Sequence, residues 1–223
     1  ANPSRIFIGE EQPAAGNARF DQGAFRTSLE TALAQNERAV RAAAIAERYA
    51  FSEVQKSGIE WHNRVSRHVV PVNGWWSAAE LRGAFAALVR SQDMLRAAAD
   101  FDAQRWDVLE PAAFRADDLP WLDLRDLSDS DADAAWSAII AALHRAQAAS
   151  RLCHVAVLIS HSDTEHRLVM VNDHLISDGR SFEALADELR RVLTGEGEPT
   201  RGRYRDFVEA CAQEHDPALL DRL

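Results

Sequence analysis

Residues 173–179 hold the side chains best suited to catalysis, with Asp173 and His174 at the start and Asp178 and Gly179 at the end. They directly follow an apolar segment, so the sequence predicts a histidine at a strand end with an acid and a glycine completing the turn behind it. An imidazole titrates at about pH 6.5 when unperturbed, so it can accept a proton near neutrality. Acyl transfer requires a rigidly held proton acceptor of this kind, and His174 is the candidate base.

A buried hairpin is predicted to position this motif. Residues 153–160 and 167–173 are apolar on both faces and are separated by a polar turn at 161–166, a pattern typical of paired interior strands. After the motif, Ser181 is the predicted N-cap of a helix that ends at Gly195. The histidine is thereby expected between a strand and a helix.

The other elements are read from periodicity and turn signals. A capping box of Ser77 and Glu80 marks the start of one helix. Residues 97–127 indicate only one or two short strands and loops. The predicted elements are a helix at about 24–47 after an irregular leader, a strand at 65–72 with an Asn73-Gly74 turn, and helices at about 77–96, 131–148 and 203–214. This order predicts an α+β fold, with helices against a mostly antiparallel sheet.

Composition and charge limit the classes of partner. The chain has 223 residues, of which 47% are hydrophobic, and a net charge of -10 without a cluster of lysines or arginines. Nucleic acid and anionic membranes demand clustered cations, so neither is an expected partner, and a basic protein surface suits this charge better. Only Cys153 and Cys211 occur, which is the usage of a reduced compartment. With no apolar run of about 20 residues and no signal pattern, the chain is expected to be cytoplasmic.

Five segments together resemble a known family. In order, they are residues 49–55 with Ser52 and Gln55, 81–96 ending in Leu-Arg, 119–124, 168–193 around the motif, and 204–207. Their order and spacing are similar to those of the N-terminal lobe of a nonribosomal peptide synthetase condensation domain, a member of the chloramphenicol-acetyltransferase-like superfamily. The resemblance implies a leader or linker with an N-terminal helix at 1–48, and at 49–223 a lobe whose C-terminal partner lobe is absent.

The resemblance also implies an activity. Condensation domains join acyl or peptidyl thioesters, carried on the phosphopantetheine arms of carrier proteins, to an amine or hydroxyl acceptor in nonribosomal peptide or hybrid polyketide biosynthesis. The expected partners are therefore acyl or peptidyl carrier proteins and a C-terminal condensation lobe in cis or in trans, and no tightly bound cofactor is expected.

Each motif residue receives a role from the resemblance. His174 would be the general base or the group that positions the nucleophile, and Asp178 would shape the turn by pairing with Arg96. Gly179 would supply a conformation, or a close approach, that a Cβ forbids. The family motif begins with two histidines, whereas this chain has Asp173 first. Because successive strand residues face opposite sides, Asp173 is expected to point away from His174 and to be structural.

Three other functions stay open. A self-contained trimeric enzyme resembling chloramphenicol acetyltransferase would build its sites between neighbouring subunits. A noncatalytic lobe would only dock a carrier protein. The acyltransferase cores of dehydrogenase complexes share the Asp-His-x-x-x-Asp-Gly pattern, although the rest of this chain does not follow that family.

Other arrangements of chemical groups are weak candidates. A metal site from His161, His166, His174 and Asp178 lacks a completed zinc spacing. Ser160 and Ser177 lack the strand-to-helix elbow of a serine nucleophile. The tryptophans lack the interleaved basic residues of a stacking platform, so they are interpreted as core or lobe-interface residues: Trp61, Trp75, Trp76, Trp106, Trp121 and Trp136.

Overall fold

The structure, a computed structural model, describes residues 6–7, 21–57 and 65–214. Its strands are β1 (Ile6–Phe7), β2 (Ile45–Ala50), β3 (Val65–Asn73), β4 (Ala97–Asp100), β5 (Arg105–Leu109), β6 (Trp121–Asp123), β7 (His154–Ser160) and β8 (Glu165–Asp173). Its α-helices are α1 (Gln22–Ala42), α2 (Glu53–Ser57), α3 (Ala78–Ser91), α4 (Asp129–Ala149), α5 (Gly179–Leu193) and α6 (Tyr204–Glu214). The weakly patterned region 97–127 contains β4, β5 and β6. Trp61 and the predicted leader, apart from β1 and residues 21–22, lie outside the described residues.

The strands form two sheets. The large sheet has the order β1-β6-β7-β8-β3, and the small sheet has the order β2-β5-β4. All neighbours pair antiparallel except β6 and β7, which are parallel. The mostly antiparallel architecture is therefore confirmed, and so is the β7–β8 hairpin.

Long-range pairing brings β3 next to the motif strand. All nine residues of β3 pair with β8, from Val65 opposite Asp173 to Asn73 opposite Glu165. Every second residue of β3 faces the same side of the sheet, so Ser66 and His68 share a face with Val70 and Val72, which are buried in the core. Two polar side chains are thus directed toward the helical layer that follows the motif.

Helices cover both faces of the large sheet. On one face α1 and α4 pack against the sheet, and on the other face α3 and α5 do so. The first core includes Phe25, Leu29, Ile139, Leu143, Val157 and Val171, and the second includes Leu81, Phe85, Leu88, Leu158, Met170 and Phe182. Burial of these faces from water is the main stabilising contribution. No helix in the described part of the chain is long and apolar enough to cross a bilayer.

The N-terminal helix packs on this body. Phe25 and Leu29 of α1 are 2% and 0% exposed and belong to the same core as Ile139 of α4. The predicted boundary after residue 48 falls inside β2, whose residues pair with β5. Within the described residues, α1 is joined to the following elements by a shared apolar core.

Side-chain hydrogen bonds cap the N-termini of two helices, α3 and α5. Ser77 and Glu80 form the predicted capping box of α3. The N-cap of α5 is Asp178, three residues before the predicted Ser181, whose amide and hydroxyl both donate to the Asp178 carboxylate. The prediction of Ser181 as the cap is wrong because Asp caps as well as Ser and occurs earlier in the chain.

Candidate functional site

The motif lies where β8 ends and α5 begins. Asp173 is the last residue of β8 and is 1% exposed. Its Oδ1 accepts a hydrogen bond of 2.9 Å from the amide of Leu175, and its own amide donates to the oxygen of Cys153 at 2.8 Å. His174 is exposed in the turn that follows. The two adjacent side chains thus separate into a buried acid that folds the turn and an exposed imidazole.

Asp178 has local partners only. Its carboxylate accepts from the amide of Ser181 at 2.8 Å and from the Ser181 hydroxyl at 2.7 Å, and these bonds hold the pKa of Asp178 below its ordinary value. Arg96 lies elsewhere: its Nε donates to the oxygen of Val89 at 3.0 Å, and its Nη1 donates to the oxygen of Leu109. The predicted Arg96–Asp178 pair is not formed. Two main-chain carbonyls satisfy the buried guanidinium, and burial lowers its pKa.

Gly179 is the first residue of α5. Apart from its chain neighbours and the backbone of its own helix, a Cβ built there would meet no described atom within 4 Å, and its φ lies outside the left-handed region. The predicted need for a special backbone conformation, or for close approach to another part of the chain, is therefore absent in the described structure.

Gln55, on α2, anchors the motif loop and also contacts the small sheet. Its Oε1 accepts from the amide of Ser52 and from Nε1 of Trp106, both at 3.0 Å. Its Nε2 donates to the main-chain oxygen of Leu175 at 3.2 Å. Gln55 is 6% exposed and Trp106 is fully buried, so these bonds are shielded from water. In the sequence analysis, Ser52 and Gln55 were named only as part of the family resemblance, and no role was assigned to them.

A second chain of hydrogen bonds supports the loop from β3. Nε2 of His68 lies 2.9 Å from Oγ of Ser66, and that hydroxyl donates to Oδ1 of Asn172 at 3.4 Å. Nδ2 of Asn172 in turn donates to Oγ of Ser177 at 2.6 Å. Asn172 is fully buried. This series of contacts holds the loop at Ser177, two residues after the Leu175 oxygen that Gln55 binds.

His68 is a site residue that the sequence analysis missed. Its ring stacks on Phe182 of α5. Burial lowers the pKa of His68, and the charge of His174 lowers it further, so the two imidazoles are close enough to interact. The sequence signal for His68 was a histidine on the same strand face as Val70 and Val72. Its position beside the motif could not be predicted without the β3–β8 pairing.

A cavity of about 410 Å³ lies beside the loop, between the end of α3, β8, α5 and the segment before α6. Its lining is mostly apolar and includes Met170, Asn172, Ile176, Ser177, Phe182 and Tyr204. A volume of this size suits a small organic group. Two residues of the motif loop, Ile176 and Ser177, therefore line space for a small molecule, whereas His174 does not line it.

The weaker candidates do not assemble into sites. His161 and His166 lie at the start of β8, and His174 and Asp178 follow its end, roughly 25 Å away at the rise of a strand. These four residues therefore do not come together as a metal site. Ser160 is buried, and its hydroxyl contacts Trp121 and His166.

The tryptophans show no stacking platform in the described residues. Trp106 is fully buried, Trp76, Trp121 and Trp136 are partly buried against the two cores of the large sheet, and Trp75 is 80% exposed. The interpretation of these residues as mainly core is consistent with that burial.

Comparison with known proteins identifies the type of domain. A family model described as the condensation domain matches residues 45–219. The chain is also similar to surfactin synthase subunit 1 of Bacillus subtilis (strain 168), with 49% identity over 52 residues that make up 23% of this chain and 1% of that protein.

Two solved structures share the fold. The cyclization-docking bidomain of the EpoB nonribosomal peptide synthetase from Sorangium cellulosum has a TM-score of 0.60 at 20% identity, over 89% of this chain and 43% of that one. A structure concerned with condensation domain-mediated chain release from the enacyloxin polyketide synthase has a TM-score of 0.58 at 20% identity, over 90% and 44%. The chain spans less than half the length of each.

Proposed function

The chain belongs to the condensation-domain family, and we propose that it supplies the N-terminal lobe of a domain that joins a carrier-bound acyl or peptidyl thioester to an amine or hydroxyl acceptor. The product is an amide or an ester, formed in nonribosomal peptide or hybrid polyketide biosynthesis. The partners are acyl or peptidyl carrier proteins, and a C-terminal condensation lobe in cis or in trans. This chain covers only 43% and 44% of the two solved structures. This partial coverage supports the proposal that a second lobe is needed.

One observation carries this proposal: His174 is exposed, while the backbone around it is fixed. Asp173 holds the amide of Leu175, Gln55 holds the oxygen of Leu175, and Asn172 holds the hydroxyl of Ser177. Catalysis by proton transfer requires a base kept at a defined position. A backbone restrained at Asp173 before the exposed imidazole and at Leu175 and Ser177 after it meets that requirement.

The proposed reaction is a single acyl transfer. The acceptor nitrogen or oxygen attacks the thioester carbonyl carbon, the new C–N or C–O bond forms, and the C–S bond breaks. His174 accepts the proton that the acceptor loses, or holds the acceptor in line through a hydrogen bond, and the proton ends on the released thiol. General base catalysis of this kind contributes roughly 10²–10⁴-fold to a rate.

The substrates arrive on the phosphopantetheine arms of carrier proteins, and no tightly bound cofactor takes part. The apolar cavity of about 410 Å³ beside the loop can receive part of one substrate. Asp173 replaces the first histidine of the family motif; because its side chain is buried and bonded to the loop backbone, it acts as a structural residue, and the reaction proceeds with one motif histidine.

The test is His174→Ala in the full-length protein that contains residues 45–219, with donor and acceptor carriers loaded. We expect product formation to fall at least 100-fold while carrier binding and the unfolding temperature stay unchanged. The matched control is His144→Ala, because His144 is an exposed histidine on α4. Product formed by His174→Ala at the rate of the control would overturn the proposal.

A noncatalytic carrier-docking lobe is the second candidate, and the presence of Asp173 at the first motif position favours it. That function predicts carrier binding that survives His174→Ala, and no product from the unsubstituted protein with any second lobe. Native mass spectrometry tests the trimeric acetyltransferase alternative, which requires three copies of the chain in one particle and turnover of acyl-coenzyme A without a second lobe.

A further inference from the structure

A second cavity lies away from the motif, between the two helical layers. Its volume is about 390 Å³, and it is bounded by α1, α4, α3, the first half of β7 and the segment before β6. We call it the α1–α4 cavity. The apolar part of its lining includes Leu33, Val40, Phe85, Val89, Ala142 and Ala146. Neither His174 nor the residues that hold its loop line this cavity, so it is separate from the site described above.

The α1–α4 cavity exists because β6 is short. β6 pairs with β7 only from Leu158 to Ser160, so the edge of β7 before Leu158 has no partner strand in the described part of the chain. The amide of Leu158 donates across this edge to the oxygen of Pro120. Main-chain groups two and four residues earlier point the same way, so those of Ala156 and His154 are directed toward the open edge.

His154 places an unsatisfied polar side chain in this apolar lining. It is 6% exposed and lines the cavity. Its Nδ1 has no hydrogen-bond partner among the described residues and almost no exposed surface, so a ligand in the cavity can reach the ring only through Nε2. Burial lowers the pKa of His154 to about 4, so the ring is neutral near pH 7.

The charges around the α1–α4 cavity are already paired. Arg145 contacts Glu30 at 2.5 Å, and Arg115 contacts Asp118 at 3.0 Å. Glu37 accepts hydrogen bonds from Ser150 and Arg151. Among the described residues, a ligand therefore meets no unpaired charge, and an uncharged molecule fits better than an ion.

The neutral imidazole of His154 determines which polar group a ligand needs. One ring nitrogen carries a proton and the other is an acceptor, and a hydroxyl can both donate and accept, so it can satisfy either tautomer. We propose that the α1–α4 cavity binds a small uncharged alcohol with an alkyl or aryl body, whose hydroxyl forms a hydrogen bond with Nε2 of His154. The apolar body occupies the space between α1, α3 and α4.

The test uses 4-propylphenol as the probe and propylbenzene, which lacks the hydroxyl, as its control. The chain is labelled with ¹⁵N-histidine, and binding is followed by NMR titration of the His154 ring nitrogens. We expect saturable binding of 4-propylphenol at His154 and affinity about tenfold weaker for propylbenzene, which corresponds to one hydrogen bond. No saturable binding, or equal affinity for both probes, would overturn the proposal.

Three variants make the test specific, with circular dichroism to verify the fold of each. His154→Phe keeps a ring of similar size but removes its polar nitrogens, so 4-propylphenol should no longer bind more tightly than propylbenzene. Ala146→Phe fills the cavity from α4 and should abolish binding of both probes. Ala184→Phe, on the lining of the cavity beside the motif, should leave binding unchanged. Binding that is lost in Ala184→Phe but kept in Ala146→Phe would assign the probe to the other cavity and contradict the proposal.

Discussion

The imidazole of His68 lies parallel to the ring of Phe182, with 3.4 Å between their centroids and 5° between their planes. This stack joins β3 to the first turn of α5, directly after the motif loop. The remaining ring edge of His68 bonds to Ser66, so the imidazole is restrained in its plane as well as on its face. Its proximity to the charge of His174 makes it a reporter of the site.

His174→Ala should raise the pKa of His68. The charge of His174 is one of the two causes that lower it, and removal of that charge favours the protonated form of His68. Burial remains, so the pKa should stay below 6.5. An NMR titration of the His68 Cε1–H signal measures this, with His144→Ala as the control on the opposite helical layer. An unchanged pKa would show that the imidazoles do not interact.

Gln55→Leu should reduce the free energy of unfolding by about 2–4 kcal/mol, because the amide of Ser52 and the indole of Trp106 would become buried donors without an acceptor. Gln55→Glu keeps an acceptor for both donors but loses the donor to Leu175. It should therefore mainly loosen the loop, seen as faster hydrogen exchange of the amide of Ile176. Gln22→Leu, on the exposed start of α1, is the control. Similar exchange rates in Gln55→Glu and the unsubstituted chain would contradict the anchoring role.

Asp178→Ala should cost about 1 kcal/mol of stability through loss of the α5 cap, and Asp178→Asn should restore most of it. The double variant with Arg96→Met tests the relation between the two residues. Because they do not contact each other, their effects on the free energy of unfolding should add within about 0.5 kcal/mol. A coupling energy above about 1 kcal/mol would show that the pair forms after all.

Leu29→Ala should reduce the free energy of unfolding by about 2–5 kcal/mol, because Leu29 is fully buried between α1 and the large sheet. The unfolding transition should remain single, since α1 shares its core with α4. Val54→Ala, which truncates a side chain that is 79% exposed, is the control and should change stability by less than about 0.5 kcal/mol. Two separate transitions would instead define α1 as part of a distinct leader.

His154 should make the chain less stable in mild acid. Its pKa is about 4 in the folded chain against 6.5 for an ordinary histidine, so the unfolded state binds more protons between these values. The free energy of unfolding must therefore fall as the pH falls from about 6.5 toward 4, by at most about 1.4 kcal/mol per pH unit from this group. Denaturant titrations at pH 7 and pH 5 should show a smaller loss for His154→Phe. Equal losses would contradict the assigned shift.

Local signals predicted most of the secondary structure. The two continuous apolar runs and the polar turn between them located the β7–β8 hairpin, and Ser77 with Glu80 located the start of α3, because these signals depend on residues close in the chain. The start of α5 was misplaced because Asp178 and Ser181 are both strong caps, and only the observed bonds decide between them.

The candidate site was harder to predict from the sequence because it depends on contacts between segments that are distant in the chain. The motif pointed to His174, and the strand period separated it from Asp173. The pairing of β3 with β8 could not be read from either strand alone, so His68 stayed hidden among strand residues. Likewise, Arg96 was assigned to Asp178 from a resemblance, whereas the oxygens of Val89 and Leu109 are its partners.

The amide of Gln55 is a short link between two sheets that share no strand. Trp106 belongs to the small sheet, whereas the loop of Leu175 extends from the large one. A rotation of one sheet against the other would therefore have to break one of these two hydrogen bonds of Gln55 or move the backbone beside His174.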